Sequence, residues 1–214
     1  MNANAQTEPL TPQYSQAEDI CNSVTHVAGA LLTVYGTYLL ILNSSVPSFV
    51  VCALIYGVAI FSMFLVSSVY HAIRDQEVKS FVRKADHAVI YFTIAGTYVP
   101  ILNAVASPRE AVIWYCALGA CALAGGVFSF ITLKHKYVTT VIYLVMGWAS
   151  LLLLKKLWGS WDPMIAWLLI GGGVAYSVGA GLYLIKKPFV HTVFHLFVLA
   201  GVILQYLSIR LLYS

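Results

Sequence analysis

Seven continuous apolar runs, separated by short charged or turn-rich breaks, fill the chain from residue 20 to residue 211. A helix needs roughly 20 mostly apolar residues to cross a bilayer. The runs cover residues 20–42, 47–72, 86–106, 111–132, 138–156, 163–185 and 189–211, so each is long enough. Their continuity selects helices over a barrel, whose strands are about ten residues long and alternate in polarity. No other element satisfies its backbone hydrogen bonds in lipid. Composition agrees: 9% of the residues are charged and 60% are hydrophobic, whereas a soluble domain carries roughly 25% charged residues. Disordered, collagen-like and secreted disulfide-scaffold classes drop out on the same ground. The reading is an all-α integral membrane protein, a seven-transmembrane helix bundle over residues 19–214. Residues 1–18 are polar, contain Pro9 and Pro12, and lack the basic-then-apolar order of a signal peptide; they are expected to form a flexible tail.

The cations set the orientation. Arg74, Lys79, Arg83, Lys84, Lys134, Lys136, Lys186 and Lys187 lie on the side of the N-terminus, against Arg109, Lys155, Lys156 and Arg210 on the other. Excess Lys and Arg marks the cytoplasmic side, which implies a cytoplasmic N-terminus, an external C-terminus and a multi-pass protein of the cell (inner) membrane. Trp114, Trp158, Trp161 and Trp167 fall near the external ends, as in an interfacial aromatic belt. The net charge of +4 is accounted for by these loops, which argues against nucleic acid as a partner. The four cysteines sit in or beside apolar runs without CxxC spacing and read as packing residues. In the sixth run, Ser177 and Gly181 are spaced as small-xxx-small, a pattern of close helix packing.

Polar residues are costly in a bilayer and usually mark function. Glu18, Asn22 and His26 recur every four residues at the start of the first run. Ser67 and His71 end the second, Asp86 and His87 open the third, and His191 and His195 open the seventh. Residues four apart share a helix face. Under the derived topology all these groups lie in the cytoplasmic leaflet, delivered there by four spans.

Two histidines one turn apart can aim at one ion, and His71 at the same depth supplies a third nitrogen. Three neutral imidazoles with an open fourth position are the ligand set of a catalytic zinc site. Packing or helix-to-helix hydrogen bonding is the plainer reading of each pair alone. Asp86 suits a role beside the metal, as acceptor of a proton from water, with a salt bridge to Arg83 or Lys84 as the alternative. Ser67 can orient Asp86 or the water, or simply pack. Glu18, Asn22 and His26 read as a brace for the site mouth, with a fourth ligand as the alternative. His87 is turned about 100° from Asp86 and reads as a hydrogen-bonding partner.

The segments EDICNSVTH at Glu18–His26, SSVYH at Ser67–His71, DHAVIYFTIAGTYVP at Asp86–Pro100 and HTVFH at His191–His195 resemble the hemolysin III family, the bacterial branch of the progestin and adipoQ receptor (PAQR) superfamily. The resemblance covers nearly the whole chain from Glu18 onward. It implies a seven-helix fold with a cytoplasmic N-terminus and a zinc ion held by His71, His191 and His195. It further implies that Asp86 hydrogen-bonds the zinc water and that Ser67 accompanies it. Relatives in the superfamily include alkaline ceramidases and adiponectin receptors, which implies hydrolysis of a lipid amide, while the hemolysin name records a cytolytic activity.

Three functions compete on this basis. The first is a zinc-dependent intramembrane hydrolase of a lipid amide or acyl bond, with Asp86 and Ser67 as catalytic residues and a membrane lipid as substrate. A zincin protease is excluded, because HTVFH lacks the glutamate of HExxH. The second is a sensor of lipid state or membrane homeostasis, with zinc as a structural tie and the lipid as ligand. The third is a pore, which polar residues gathered at one depth support poorly.

Overall fold

In a computed structural model of the protein, which describes residues 11–44, 46–160 and 162–214, the described residues form eight α-helices and no strand. They are α1 (Gln16–Leu42), α2 (Pro47–Ala72), α3 (Gln76–Val105), α4 (Pro108–Ile131), α5 (Lys136–Trp148), α6 (Leu151–Ser160), α7 (Pro163–Tyr183) and α8 (Val190–Leu212). Seven segments are long and apolar enough to cross a membrane: α1 to α4, Lys136–Leu154, α7 and α8.

Helix starts follow capping chemistry rather than the first apolar residue. Ser15 and Glu18 form a capping box, in which the serine hydroxyl accepts from the Glu18 N–H and the Glu18 carboxylate accepts from the Ser15 N–H at 2.9 Å. This moves the start of α1 to Gln16. Asp75 caps α3 by accepting from the Glu77 and Val78 N–H groups at 3.0 and 2.9 Å. The charged stretch from Gln76 to Ala85 is therefore helical, and α3 begins ten residues before the apolar run at 86. Pro47, Pro108 and Pro163 occupy first turns, where no intrahelical N–H is needed.

Of the expected N-terminal tail, residues 1–10 lie outside the described residues. Thr11 is buried and donates to Gln76 Oε1 at 2.7 Å, and Tyr14 stacks on His191 with ring centroids 5.0 Å apart. The segment leading into α1 thus packs on the end of the bundle. Trp161 and the side chain of Trp158, assigned to the aromatic belt, also fall outside the description.

Chain neighbours pack in series from α1 to α4, α7 packs on α8, α1 meets α8, and α5 touches both α3 and α7. α2 and α3 are the most buried spans and supply Phe49, Ile60, Phe64, Tyr91 and Leu102 to the core. Large apolar side chains such as Leu31, Val58, Val127 and Trp167 point outward, as lipid-facing groups do. The close approach of α7 to α8 uses Gly172 and Gly179, where a Cβ would lie 3.0 Å from Gln205 and 3.2 Å from Phe197. The Ser177 and Gly181 pair is not the contact. Gly181 faces open space, and Ser177 accepts from the Trp148 indole at 2.9 Å.

The fifth span is broken where the sequence suggests one helix over 138–156. α5 stops at Trp148 and α6 resumes at Leu151. Freed carbonyls inside a membrane need donors, and Tyr98 supplies one, its hydroxyl lying 2.5 Å from the Met146 carbonyl and 3.1 Å from that of Gly147. Ser150 Oγ donates to Gly147 O at 2.8 Å. Tyr98→Phe is expected to lower unfolding stability in detergent by about 1–3 kcal/mol, the cost of a buried acceptor left without its partner. An unchanged thermal midpoint would show that the break does not depend on Tyr98.

Candidate metal centre

The HTVFH segment places His191 and His195 on successive turns of one face of α8, and α2 brings His71 to the same point. One ring nitrogen from each histidine lies within 4.8 Å of the other two. The Nε2 atoms of His191 and His195 are 3.1 Å apart. Nitrogens bound to a tetrahedral ion at 2.0–2.1 Å are themselves roughly 3.3 Å apart, so the spacing fits joint ligation. His71 Nε2 is buried without a hydrogen-bond partner among the described residues. Such an orphan is costly, and a metal ion supplies what it lacks. Imidazole donors suit zinc and several other transition metals.

The opposite edges of these rings determine whether Nε2 is free to ligate. His71 Nδ1 lies 2.9 Å from Asp19 Oδ1. His195 Nδ1 lies 3.3 Å from the Asn22 carbonyl. A carboxylate and a carbonyl only accept, so both contacts place the ring hydrogen on Nδ1 and the lone pair on Nε2. Carboxylate or carbonyl partners of this kind orient metal-binding histidines generally.

Both partners come from the first two turns of α1. Asn22 is fully buried; its Oδ1 accepts from Thr192 Oγ1 at 2.6 Å, tying α1 to the turn of α8 between the two histidines. Glu18 adds a second tie: besides closing the capping box, its Oε1 accepts from the Phe189 N–H at 2.8 Å. Phe189 carries φ 58, a left-handed conformation that a bulky residue adopts only under constraint. The Glu18 contact holds that turn just before α8. His26 is not in the three-histidine cluster. Its ring stacks on His195 with centroids 3.7 Å apart and meets Phe64 edge-on at 5.1 Å. A Cβ on Gly29 would lie 2.7 Å from the Phe64 ring, so glycine is required for Phe64 to sit there.

Asp86 and Ser67 lie side by side and line one cavity with His26, His191 and His195. Asp86 is half-buried and stands outside the ligand cluster. His87 lines the same cavity: its carbonyl accepts from Tyr143 OH at 2.8 Å, and its Nε2 is 3.5 Å from Tyr183 OH.

Sequence reasoning missed Asp19, Lys79, Tyr14 and Thr192. Asp19 binds His71 through one oxygen and the Lys79 ammonium through the other, at 2.7 Å. The available signal was its i, i+3 spacing to Asn22, which puts both on one helix face. Tyr14 was hidden in the segment read as tail. Burial pushes its phenol above the ordinary range, so it covers His71 and His191 as a neutral ring.

The wild type is expected to retain one metal ion per chain and His71→Ala, His191→Ala and His195→Ala each to lose it, while His87→Ala keeps it. Elemental analysis of the purified proteins checks this. Full occupancy in all three ligand variants would place the ion elsewhere.

A sequence profile of the family described as "Haemolysin-III related" matches residues 14–206, a stretch that contains every group of the centre. The chain is 36% identical over 194 residues to "Hemolysin-3" of Bacillus cereus, covering 86% of each protein. It is 35% identical over 194 residues to the "Hemolysin-3 homolog" of Bacillus subtilis (strain 168), covering 86% of this chain and 89% of that one. It is also 30% identical over 207 residues to the human "Monocyte to macrophage differentiation factor", covering 90% of this chain and 83% of the relative. With the profile spanning most of its length and the bacterial relatives matching almost end to end, the chain belongs to the haemolysin-III-related family.

Proposed function

We propose that the protein is a zinc-dependent hydrolase of a lipid amide or acyl bond, working in the cell membrane with its metal centre toward the cytoplasm. The observation that carries this reading is the cavity. At one end it is lined by His191, His195, Ser67 and Asp86, and beyond them by mainly apolar side chains such as Ile94, Leu144 and Leu169. Such a space suits an amphipathic molecule with its polar bond at the histidines and its chain in the bundle. The eight-to-four distribution of cations supports the orientation.

Zinc held by three neutral imidazoles would supply Lewis acidity, making a water acidic near neutral pH and polarising an acyl carbonyl. The histidines, as ligands, cannot also move protons. Asp86 lines the cavity without belonging to the ligand set, so its carboxylate is the group placed to accept a proton from water and return it to the leaving group. Ser67, beside it, orients that carboxylate. The apolar walls exclude bulk water from the reacting end.

A lipid sensor with structural zinc is the alternative. Structural zinc sites are closed by four protein ligands, and the cluster among the described residues has three, which favours the hydrolase. The Bacillus cereus relative is named for haemolysis, but a pore calls for a polar path from face to face, and the lining of this cavity is mainly apolar.

Turnover of a panel of ceramides and other acyl lipids by the purified protein tests the proposal. Asp86→Ala is expected to keep its zinc and lose activity by about 100-fold or more, while His191→Ala loses both. Zinc-loaded wild type that turns over no lipid on the panel would move the assignment to the sensor.

A further inference from the structure

The geometry points to Asp19, anchored by Lys79, as the residue that positions His71 for its metal and sets how tightly the centre binds. This rests on the reading of His71, His191 and His195 as ligands.

His71 has two neighbours at Nδ1 that demand opposite tautomers. Asp19 Oδ1, at 2.9 Å, accepts a hydrogen from Nδ1 and leaves the lone pair on Nε2. Asn22 Nδ2, at 3.4 Å, would donate to Nδ1, send the hydrogen to Nε2 and end ligation. The shorter, charge-assisted contact prevails. Asp19 thereby decides which edge of the ring faces the metal. It does so because its own orientation is fixed: Oδ2 accepts from Lys79 Nζ at 2.7 Å. Lys79 is buried, 4% exposed, with its ammonium 5.5 Å from the centre of the Tyr70 ring. Tyr70 in turn lies against His71, with centroids 4.6 Å apart. One carboxylate thus joins three helices, with Asp19 from α1, His71 from α2 and Lys79 from the first turns of α3.

Two simpler roles compete. Asp19 is in the first turn of α1, where an acid favours the helix dipole, and its ion pair with Lys79 can serve the fold alone. Either role predicts lower stability with unchanged metal affinity.

The test uses the purified full-length protein and Co2+ as probe, with affinity measured by competition against a chelator and ligation followed by the visible cobalt spectrum. Asp19→Asn is expected to weaken cobalt binding by about 10- to 100-fold, the range for partners of metal-bound histidines. An asparagine can donate to Nδ1 and favour the wrong tautomer. Lys79→Met is expected to weaken binding less. Asp19→Asn combined with Lys79→Met should be no weaker than Asp19→Asn alone, because Lys79 acts through Asp19. The double variant leaves no unpaired buried charge, so it reports affinity even where Asp19→Asn fails to fold. Thermal midpoints of the metal-free proteins follow stability separately. Wild-type cobalt affinity in the folded double variant, or two single losses that add independently, would overturn the inference while the three-histidine reading stands. A wild type that binds no cobalt or zinc would overturn both.

Discussion

A buried imidazole with its lone pair on one nitrogen carries a hydrogen on the other that needs an acceptor, and the end of this bundle supplies acceptors of that kind. For two of the three clustered histidines the acceptor comes from the first two turns of α1: the Asp19 carboxylate for His71 and the Asn22 carbonyl for His195. The same turns grip the entry to α8 through Glu18 and Thr192 through Asn22. None of these contacts survives a slide of α1 along its neighbours by one residue, since a shift of that kind rotates each side chain by about 100°. The capping box at Ser15 therefore does more than end a helix. It fixes the start of the helix that presents Glu18, Asp19 and Asn22 to α8 and the clustered histidines.

Lipid imposes the second constraint. With no water to satisfy stray backbone groups in the hydrocarbon, irregular structure is confined to places where side chains can replace it. The break in the fifth span is such a place, with Tyr98 and Ser150 taking the carbonyls freed at Met146 and Gly147. Gly147, Trp148 and Ser150 line the same cavity as the histidines. The departure from regular helix thus borders the space that a ligand would occupy, while the outward spans stay regular.

The seven spans could be read from hydropathy because apolar length is a property of composition. The helix starts could not, because they are governed by single caps: Asp75 extends α3 through a stretch that is charged and therefore looks like loop. That extension matters, since it carries Lys79 to Asp19. The break at Ala149 was equally hidden; its sequence is apolar enough to pass as helix, and the donors that meet its carbonyls, Tyr98 from α3 and Ser150, show only in the fold. At the centre, spacing sufficed for His71, His191 and His195, since i, i+4 pairs and shared depth are sequence properties. Asp19 was passed over because Glu18, its neighbour, matched the four-residue period to Asn22 and drew the reading. Glu18 caps α1 and holds Phe189, and it is the carboxylate beside it that touches His71. The glycines of α7 show the same limit. Which of them meets α8 depends on rotation about the helix axis, and Gly172 and Gly179 do so while Gly181 does not.

The two carboxylates at this end differ in what surrounds them. Asp19 has both oxygens committed, one to an imidazole and one to an ammonium. A carboxylate held on both sides orients its partners. Asp86 has the Ser67 side chain beside it and a cavity in front of it. A hydroxyl rotates to suit its neighbour, so it can support the carboxylate and leave it further acceptor sites. Both residues stand next to the histidine cluster, and proximity alone would not tell them apart. Placement does: the acid bonded to both His71 and Lys79 is fit to hold that ring in place, and the acid that lines the cavity is fit to exchange a proton with what enters it.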